Sequence, residues 1–161
     1  MKSMRANRVP ENTADYVNEA IRRETEDRLV RLAEEVGGLE GQLDAIEARL
    51  ADLDAEWDIG RTLEANASSL ILIGLTLALV ASRRFLALPV TAAIFLLQHA
   101  VEGWCPPLGW FRRRGVRTRM EIEEERYALK AFRGDFDHLP GDPATGGEPR
   151  MAAAINAIRK I

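Results

Sequence analysis

Apolar residues dominate two neighbouring stretches in the middle of the chain. Residues 65–81 contain LILIGLTLALVA and residues 85–101 contain FLALPVTAAIFLL, with only the tripeptide SRR between them. At about 1.5 Å per residue, each stretch is close to the length that crosses a hydrocarbon core about 30 Å thick. The pattern predicts a membrane-spanning helical hairpin over residues 63–103, with Pro89 in the first turn of its second helix. A buried helix pair in a soluble bundle is the alternative for stretches this short.

Arginines follow the second apolar stretch without an intervening acid. Because Lys and Arg near the ends of spans favour the cytoplasmic side, both termini are predicted to be cytoplasmic and the short turn to face outward. Trp57 flanks the spans on the same side as Trp104 and Trp110. Residues 104–117 are therefore interpreted as a basic juxtamembrane segment on anionic lipid. The predicted headgroup contacts are Trp104, Trp110, Arg112, Arg113, Arg114, Arg117 and Arg119.

A heptad pattern occupies the amino-terminal third. Apolar residues follow one another at spacings of three and four through Leu29, Leu32, Val36, Leu39, Leu43, Ile46, Leu50, Leu53 and Trp57. This spacing is typical of a coiled coil, and it predicts one long helix over residues 15–62 after a disordered arm of residues 1–14. A homo-oligomer, or other subunits of a membrane complex, would cover the seam.

Three glycines interrupt this heptad and leave a second interpretation open. Gly37, Gly38 and Gly41 each cost a helix interior about 1 kcal/mol. A break there would let the two arms fold into an antiparallel hairpin within one chain. The heptad would then be an internal seam that needs no second copy.

Small residues recur at every fourth position of the first predicted span, at Gly74, Ala78 and Ser82. Such a ridge lets another helix approach closely. The second span of the same chain is the nearest partner, with the small residues Ala92, Ala93 and Ala100 available to face the ridge. Dimerisation through the ridge is the alternative.

The segment QHAVEGWCPPLGWFRRRG links the second span to the arginines. Over residues 57–136, a two-span hairpin that exits into Gly103, Cys105 and Pro106 ahead of an arginine-rich stretch resembles the YgaP-like inner-membrane transmembrane-domain family. The resemblance implies a multi-pass protein of the bacterial inner membrane whose hairpin mediates dimer packing. Relatives can carry a rhodanese sulfurtransferase domain, but this chain has no room for one, so sulfur transfer is not implied.

Cys105 is the only cysteine of the chain, which excludes an intrachain disulfide. The arginines that follow it would lower its pKa and favour a reactive thiolate, whereas a cysteine before two prolines is also typical of a small packing residue in a rigid turn. His99 and Glu102 lie nearby, and with Gln98 they are interpreted as hydrogen-bonding across the hairpin. No metal ion or cofactor is predicted, because one His and one Cys do not complete a zinc site.

The carboxyl-terminal third begins with a capping box. Thr118 and Glu121 predict an amphipathic helix over residues 118–133, whose apolar stripe packs on the coil or on the membrane surface. Residues 134–150, rich in Gly, Pro and Asp, are interpreted as a flexible linker. Residues 151–161 return to helix-forming residues, and Ile155 and Ile158 are predicted to contact a partner.

The predicted fold is therefore all-α: a coiled-coil helix, a transmembrane hairpin, a cytoplasmic amphipathic helix and a flexible tail. The net charge of −3 and the acidic amino-terminal region argue against nucleic-acid binding. No P-loop, HExxH or GxSxG motif is present. The predicted function is non-enzymatic oligomerisation or scaffolding through the coiled coil, including a role as an accessory subunit of a larger membrane complex. Thiol chemistry at Cys105 is the alternative.

Overall fold

The computed structural model describes residues 8–34, 38–137 and 151–155. Helices are the only regular secondary structure among these residues, with no strand, so the predicted all-α class is confirmed. The helices are α1 (Asp15–Ala33), α2 (Gly38–Ala55), α3 (Ile59–Val80), α4 (Ala87–Glu102), α5 (Leu108–Arg113) and α6 (Arg119–Arg133). Two short 3-10 helices, Pro10–Asn12 and Arg83–Leu86, precede α1 and α4. Residues 151–155 are also helical.

Helices α3 and α4 form the predicted hairpin. Asp58 caps α3 by accepting a hydrogen bond from the Arg61 amide at 2.8 Å, and Gly103 ends α4 in the left-handed conformation with φ of 73°. Pro89 is the third residue of α4, where its missing N–H breaks no helical hydrogen bond. Helix α3, and α4 taken together with the 3-10 turn before it as Arg83–Glu102, lie in helical segments that are long and apolar enough to cross a membrane. Only 11% of the most apolar part of each segment is buried within the chain.

The small-residue ridge packs within the chain, as predicted for its nearest partner. Gly74 is buried, and a Cβ atom added there would lie 2.4 Å from Cδ of Pro89. Ala92 of α4 is also buried, whereas Ala93 and Ala100 are exposed and do not face the ridge. Close packing of α3 on α4 therefore depends on the absence of a side chain at position 74.

Helices α1, α2 and α6 form a three-helix bundle. Its core is an apolar cluster of buried side chains: Ile46, Leu50, Leu53, Ile122 and Leu129. Leu29 and Leu32 of α1 are partly buried and pack against this cluster. The predicted continuous helix over residues 15–62 is corrected here, because α1 ends at Ala33, α2 begins at Gly38 with φ of 71°, and α3 begins at Ile59. Most of the described heptad residues thus pack inside one chain, as in the alternative interpretation, whereas Leu39 and Trp57 are exposed.

Residues 8–14 correct the prediction of a disordered arm over residues 1–14. Val9 is buried in a second apolar cluster with Ile59, Leu63, Cys105 and Leu108. This burial holds the segment against the start of α3 and the loop after α4. Residues 1–7 lie outside the described part of the chain.

The capping box of α6 is confirmed. The Thr118 side chain accepts from the Glu121 amide at 3.3 Å, and the Glu121 carboxylate accepts from the Thr118 amide at 2.7 Å. Gly134 closes the helix in the left-handed conformation. Of the predicted apolar stripe, Ile122 and Leu129 are buried against α2, and Phe132 is exposed. The stripe therefore packs on the segment that the sequence assigned to the coil.

Candidate functional site

A buried carboxylate, Glu125 of α6, joins three helices and a loop. Its side chain is fully inaccessible to solvent. Arg49 of α2 donates to it at 2.8 and 3.0 Å, Arg28 of α1 donates at 3.1 and 3.3 Å, and Arg117 makes a further short contact. Removing a charge from water is costly unless it is paired and hydrogen-bonded, and these three guanidinium groups satisfy that condition.

Arg117 extends the network to the segment between α2 and α3. Its guanidinium donates to both carboxylate oxygens of Glu56, at 2.7 and 2.6 Å. Its backbone carbonyl accepts from the Ile59 amide at 2.8 Å, at the first residue of α3. The same residue therefore fixes the ends of the bundle helices and the entrance to the hairpin.

Arg112 of α5 forms a second buried pair. It donates to both carboxylate oxygens of Glu121 at 2.7 Å, to Oδ1 of Asn18 at 2.9 Å and to the Val116 carbonyl at 3.1 Å. The bidentate geometry suits a guanidinium and would be lost with lysine. This contact ties α5, which packs beside α3, to α1 and α6.

These two arginines correct part of the headgroup assignment. Arg112 is 1% exposed and Arg117 is 5% exposed, because carboxylates inside the protein bind both. Arg113, Arg114 and Arg119 are exposed, as headgroup contact requires. Trp104 and Trp110 are also exposed, and the guanidinium of Arg114 lies 3.6 Å from the centre of the Trp110 ring. Headgroup contact by these five exposed residues stays a prediction.

The arginines control the ionisation of both buried carboxylates. Burial by itself would raise the pKa of Glu125, but hydrogen bonds from Arg49 and Arg117 outweigh it and lower the pKa to about 2. Burial and the Arg112 hydrogen bonds oppose each other in the same way at Glu121, whose pKa is also lowered. Both groups are therefore charged at neutral pH and serve as fixed anchors for arginine.

An apolar pocket of about 320 Å³ lies between α3, α4 and α5. Phe95, Phe111 and Trp110 supply aromatic faces, and Asn66, His99 and Cys105 supply the polar atoms of its lining. The pocket lies near the hairpin end that carries the exposed tryptophans. Most of its lining side chains are apolar.

Cys105 lines this pocket but is poorly suited to thiol chemistry. The residue is 2% exposed, and burial raises the pKa of its thiol above the usual value. This corrects the expectation that the nearby arginines lower that pKa, since Arg112 is engaged by Glu121 instead. A thiol that stays protonated and covered is a poor nucleophile, so no observation favours the alternative function.

The polar residues at the end of α4 do not bond across the hairpin. Gln98 donates to Glu102 of the same helix at 3.2 Å. Nδ1 of His99 is buried and has no hydrogen-bond partner. Within the described ranges, no three His, Cys, Asp or Glu side chains are grouped as a metal ion would need.

An open groove of about 850 Å³ separates α1 from the start of α6. Its lining contains six carboxylates and one arginine: Asp15, Glu19, Arg22, Glu26, Glu121, Glu124 and Glu125. Ile21, Leu29 and Met120 provide apolar surface between them. The groove therefore combines apolar surface with acidic groups. Glu121 and Glu125 are bound by arginines inside the protein, and Glu19 and Glu26 pair with Arg22.

The predicted interaction residues differ in their solvent exposure. Ile46, Leu50 and Leu53 are buried in the bundle, and Leu29, Leu32 and Leu43 are half-buried. Leu39 is 73% exposed. Ala78 and Ser82 are half-buried in the hairpin, and Ile155 is exposed. Val36 and Ile158 lie outside the described residues.

The ion network was missed by the sequence analysis, although one signal was available. Glu125 follows Ile122 by three residues and precedes Leu129 by four, so it lies on the buried face of α6. An acid on an apolar face requires a buried partner. The partners Arg28 and Arg49 are far away in sequence, and no local pattern identifies them.

Comparison with protein-family models, with curated proteins and with solved structures finds no match for this chain. The resemblance to the YgaP-like family therefore stays a prediction.

Proposed function

We propose that this chain is a non-enzymatic integral membrane protein whose hairpin holds a rigid helical bundle at the cytoplasmic surface, where the bundle associates with other subunits. The observation that carries the proposal is that an apolar helical hairpin is connected directly to a helical bundle whose helices are held together by buried arginine–carboxylate pairs. The hairpin supplies the anchor, and the bundle supplies the surface for association.

Exposed apolar side chains support the membrane anchor. Leu79 is 88% exposed, Leu97 is 67% exposed and Leu72 is 66% exposed, and all three belong to α3 or α4. In water, a contiguous apolar surface of this kind would drive aggregation, whereas a bilayer covers it. The soluble-bundle alternative fits poorly, because it requires these side chains to be buried.

The charge distribution supports cytoplasmic termini. Arg113, Arg114 and Arg119 are exposed at the hairpin end opposite the turn, where Trp104 and Trp110 are exposed as well. Aromatic and basic residues together are typical of the cytoplasmic headgroup region. The proposed location is the bacterial plasma membrane, which the family resemblance implies.

The bundle is joined to the anchor without a long linker. Three residues separate α2 from α3, and five separate α5 from α6. Arg117 binds across both connections, to Glu56 on one side and to Glu125 on the other. A partner that contacts the bundle would thus be held at a fixed position above the bilayer.

We place the surface for association outside the heptad seam, since most of the described seam residues are buried or half-buried in the chain. The open groove between α1 and α6 is the best candidate on the bundle, because its exposed carboxylates Asp15 and Glu124 complement basic groups of a partner. A second copy or another membrane subunit is the proposed partner.

Membrane topology is tested with single cysteines in a Cys105→Ser background. Ala81→Cys places a thiol at the exposed turn, and Ala131→Cys places one on an exposed position of α6. An impermeant maleimide should label position 81 only from outside the cell and position 131 only in inverted vesicles. Labelling of both positions from the same side, or release of the protein by alkaline carbonate, contradicts the anchor.

Association is tested by photocrosslinking in intact membranes. A benzophenone amino acid at Glu26, in the groove, should give a discrete adduct of higher mass. The matched control is Asp52, an exposed acid of α2 outside the groove. Absence of a discrete adduct from Glu26, or equal adducts from both positions, contradicts the assignment of the groove.

A further inference from the structure

The apolar pocket between α3, α4 and α5 has the chemistry of a ligand site. We propose that it binds a neutral, ring-bearing membrane lipid of the quinone class. The inference goes beyond association with other subunits, but it rests on the proposed insertion of the hairpin into a bilayer.

The depth of the pocket directs it into the bilayer. Along α3 its lining extends from Leu63 to Leu70, which at about 1.5 Å per residue is about 10 Å along the helix. Leu63 is buried near the cytoplasmic end, whereas Leu70 is 47% exposed towards the turn. A ligand can therefore place its head near the cytoplasmic end while its tail leaves past Leu70 into the hydrocarbon.

The charge of the lining selects against phospholipid heads. The described residues around the pocket include no Asp, Glu, Lys or Arg. A phosphate would be desolvated there with no cation in the lining to pair with it, which is unfavourable. A neutral head group avoids this cost, so the lining favours an uncharged ligand.

The shape and aromatic content favour a ring. A cavity of about 150 Å³ lined by apolar residues is known to hold benzene. The volume of about 320 Å³ is therefore sufficient for a substituted six-membered ring and the first part of a tail. Phe95, Phe111 and Trp110 surround this space with aromatic side chains, which pack favourably on a flat ring.

One polar side chain of the lining has a buried nitrogen with no hydrogen-bond partner in the described part of the chain. Nδ1 of His99 is buried without a partner, and His99 lines the pocket. Buried polar atoms in proteins are nearly always hydrogen-bonded, so an unpartnered one on a side chain that lines a cavity makes that side chain a candidate partner for a ligand atom. A ring carbonyl can accept a hydrogen bond from an imidazole N–H, and a ring hydroxyl can donate one to an unprotonated imidazole nitrogen.

His99 also lines a more polar cleft, with Asp58 and Arg119 on its walls. The histidine thus lies between the apolar pocket and a surface accessible to water. This position matches an amphiphile whose polar head points towards the cytoplasm. A simple hydrocarbon chain fits this position poorly, because it has no polar atom that could form a hydrogen bond with His99.

Trp110 provides the readout, because it lines the pocket whereas Trp57 and Trp104 do not. A Trp57→Phe/Trp104→Phe protein in nanodiscs retains Trp110 as its only tryptophan. Decylubiquinone should quench its fluorescence with saturation at a low molar ratio. His99→Leu should weaken binding about tenfold, in line with loss of one buried hydrogen bond, and Ala67→Phe should abolish saturation by filling the pocket.

Gln98→Leu is the matched control, since it removes a polar side chain from the adjacent position of α4 that does not line the pocket. It should leave the affinity unchanged. Circular-dichroism melting checks the folding of every variant. If His99→Leu fails to fold, saturation in the parent protein and its loss in Ala67→Phe decide the question.

Quenching that rises linearly with quinone content, equally in all variants, would overturn the proposal. Saturating quenching by a brominated phospholipid that decylubiquinone does not displace would also overturn it, by identifying an acyl chain as the occupant. Carbonate extraction of the same proteins separates the two claims. If the protein stays in membranes but shows no saturable quinone binding, only the assignment of the pocket is contradicted. If the protein is extracted from membranes, the proposed membrane anchor is contradicted as well.

Discussion

Arg49 of α2 donates two hydrogen bonds to Glu125 of α6, at 2.8 and 3.0 Å, across 76 residues of sequence. The hairpin lies between these residues in the chain. They can meet only if the hairpin returns the chain to the side from which it started. The pair therefore links the closure of the bundle to the antiparallel packing of α3 and α4.

Replacing the buried carboxylate should destabilise the bundle strongly. Glu125→Gln leaves Arg28, Arg49 and Arg117 close together without their shared anion. Breaking a buried ion pair by removing one partner costs about 3 to 5 kcal/mol. The free energy of unfolding from denaturant titration measures the loss, and Glu124→Gln, at an exposed neighbouring position, is the control. Equal stabilities of the two variants would contradict a structural role for Glu125.

The same carboxylate predicts a pH dependence of stability. Its folded-state pKa of about 2 lies below the reference value of 4.5, so the unfolded chain binds its proton more readily. The stabilisation is complete above about pH 5 and falls as the pH decreases towards 2. Glu121 contributes in the same direction, because its pKa is also lowered. Thermal unfolding from pH 7 to pH 2 should show a shallower dependence in Glu125→Gln than in the wild type.

Two glycines of helix interiors should respond in opposite ways to alanine. At Gly74 a Cβ atom would lie 2.4 Å from Cδ of Pro89, so Gly74→Ala should separate α3 from α4 and destabilise the hairpin. At Gly41 a Cβ atom would meet nothing within 4 Å, so Gly41→Ala should stabilise α2 by about 0.5 to 1 kcal/mol. Melting temperatures in nanodiscs measure both effects. An unchanged melting temperature in Gly74→Ala would show that the helices are not in close contact there.

Cys105 should react slowly with thiol reagents. The residue is 2% exposed and its pKa is raised by burial, so both access and thiolate content are low. Maleimide should modify it at least about tenfold more slowly than Ala131→Cys in the Cys105→Ser background, with acid-quenched mass spectra as the readout. Comparable rates would contradict this and show that Cys105 is an accessible, reactive thiol.

Local patterns predicted much of the fold because local physics determines those parts. The box of Thr118 and Glu121 identified the start of α6, and Pro89 lies in the first turn of α4 as its fixed φ requires. The ridge at Gly74 identified the contact between the spans. Each of these features depends on neighbours within one or two turns.

The bundle was harder to predict, because a heptad pattern does not show whether its apolar residues are covered by a second chain or by another segment of the same chain. The break near Gly38 lets α2 fold back on α1, and α6 completes the core after an intervening hairpin. The arginines after α4 were misassigned for a related reason. Arg112 and Arg117 look like juxtamembrane charges in sequence, and only the tertiary fold brings Glu121 and Glu125 to them.

One pair of substitutions tests most directly whether the heptad closes within one chain. Leu39 and Leu53 occupy equivalent heptad positions fourteen residues apart, yet Leu39 is 73% exposed and Leu53 is 1% exposed. A coiled-coil oligomer would bury both, whereas the bundle buries only Leu53. The measurement is the free energy of unfolding of Leu39→Asp and Leu53→Asp in nanodiscs. The bundle predicts a change within about 0.5 kcal/mol at Leu39 and a loss of more than about 4 kcal/mol at Leu53. Equal losses at both positions, together with a fall in native mass, would contradict it.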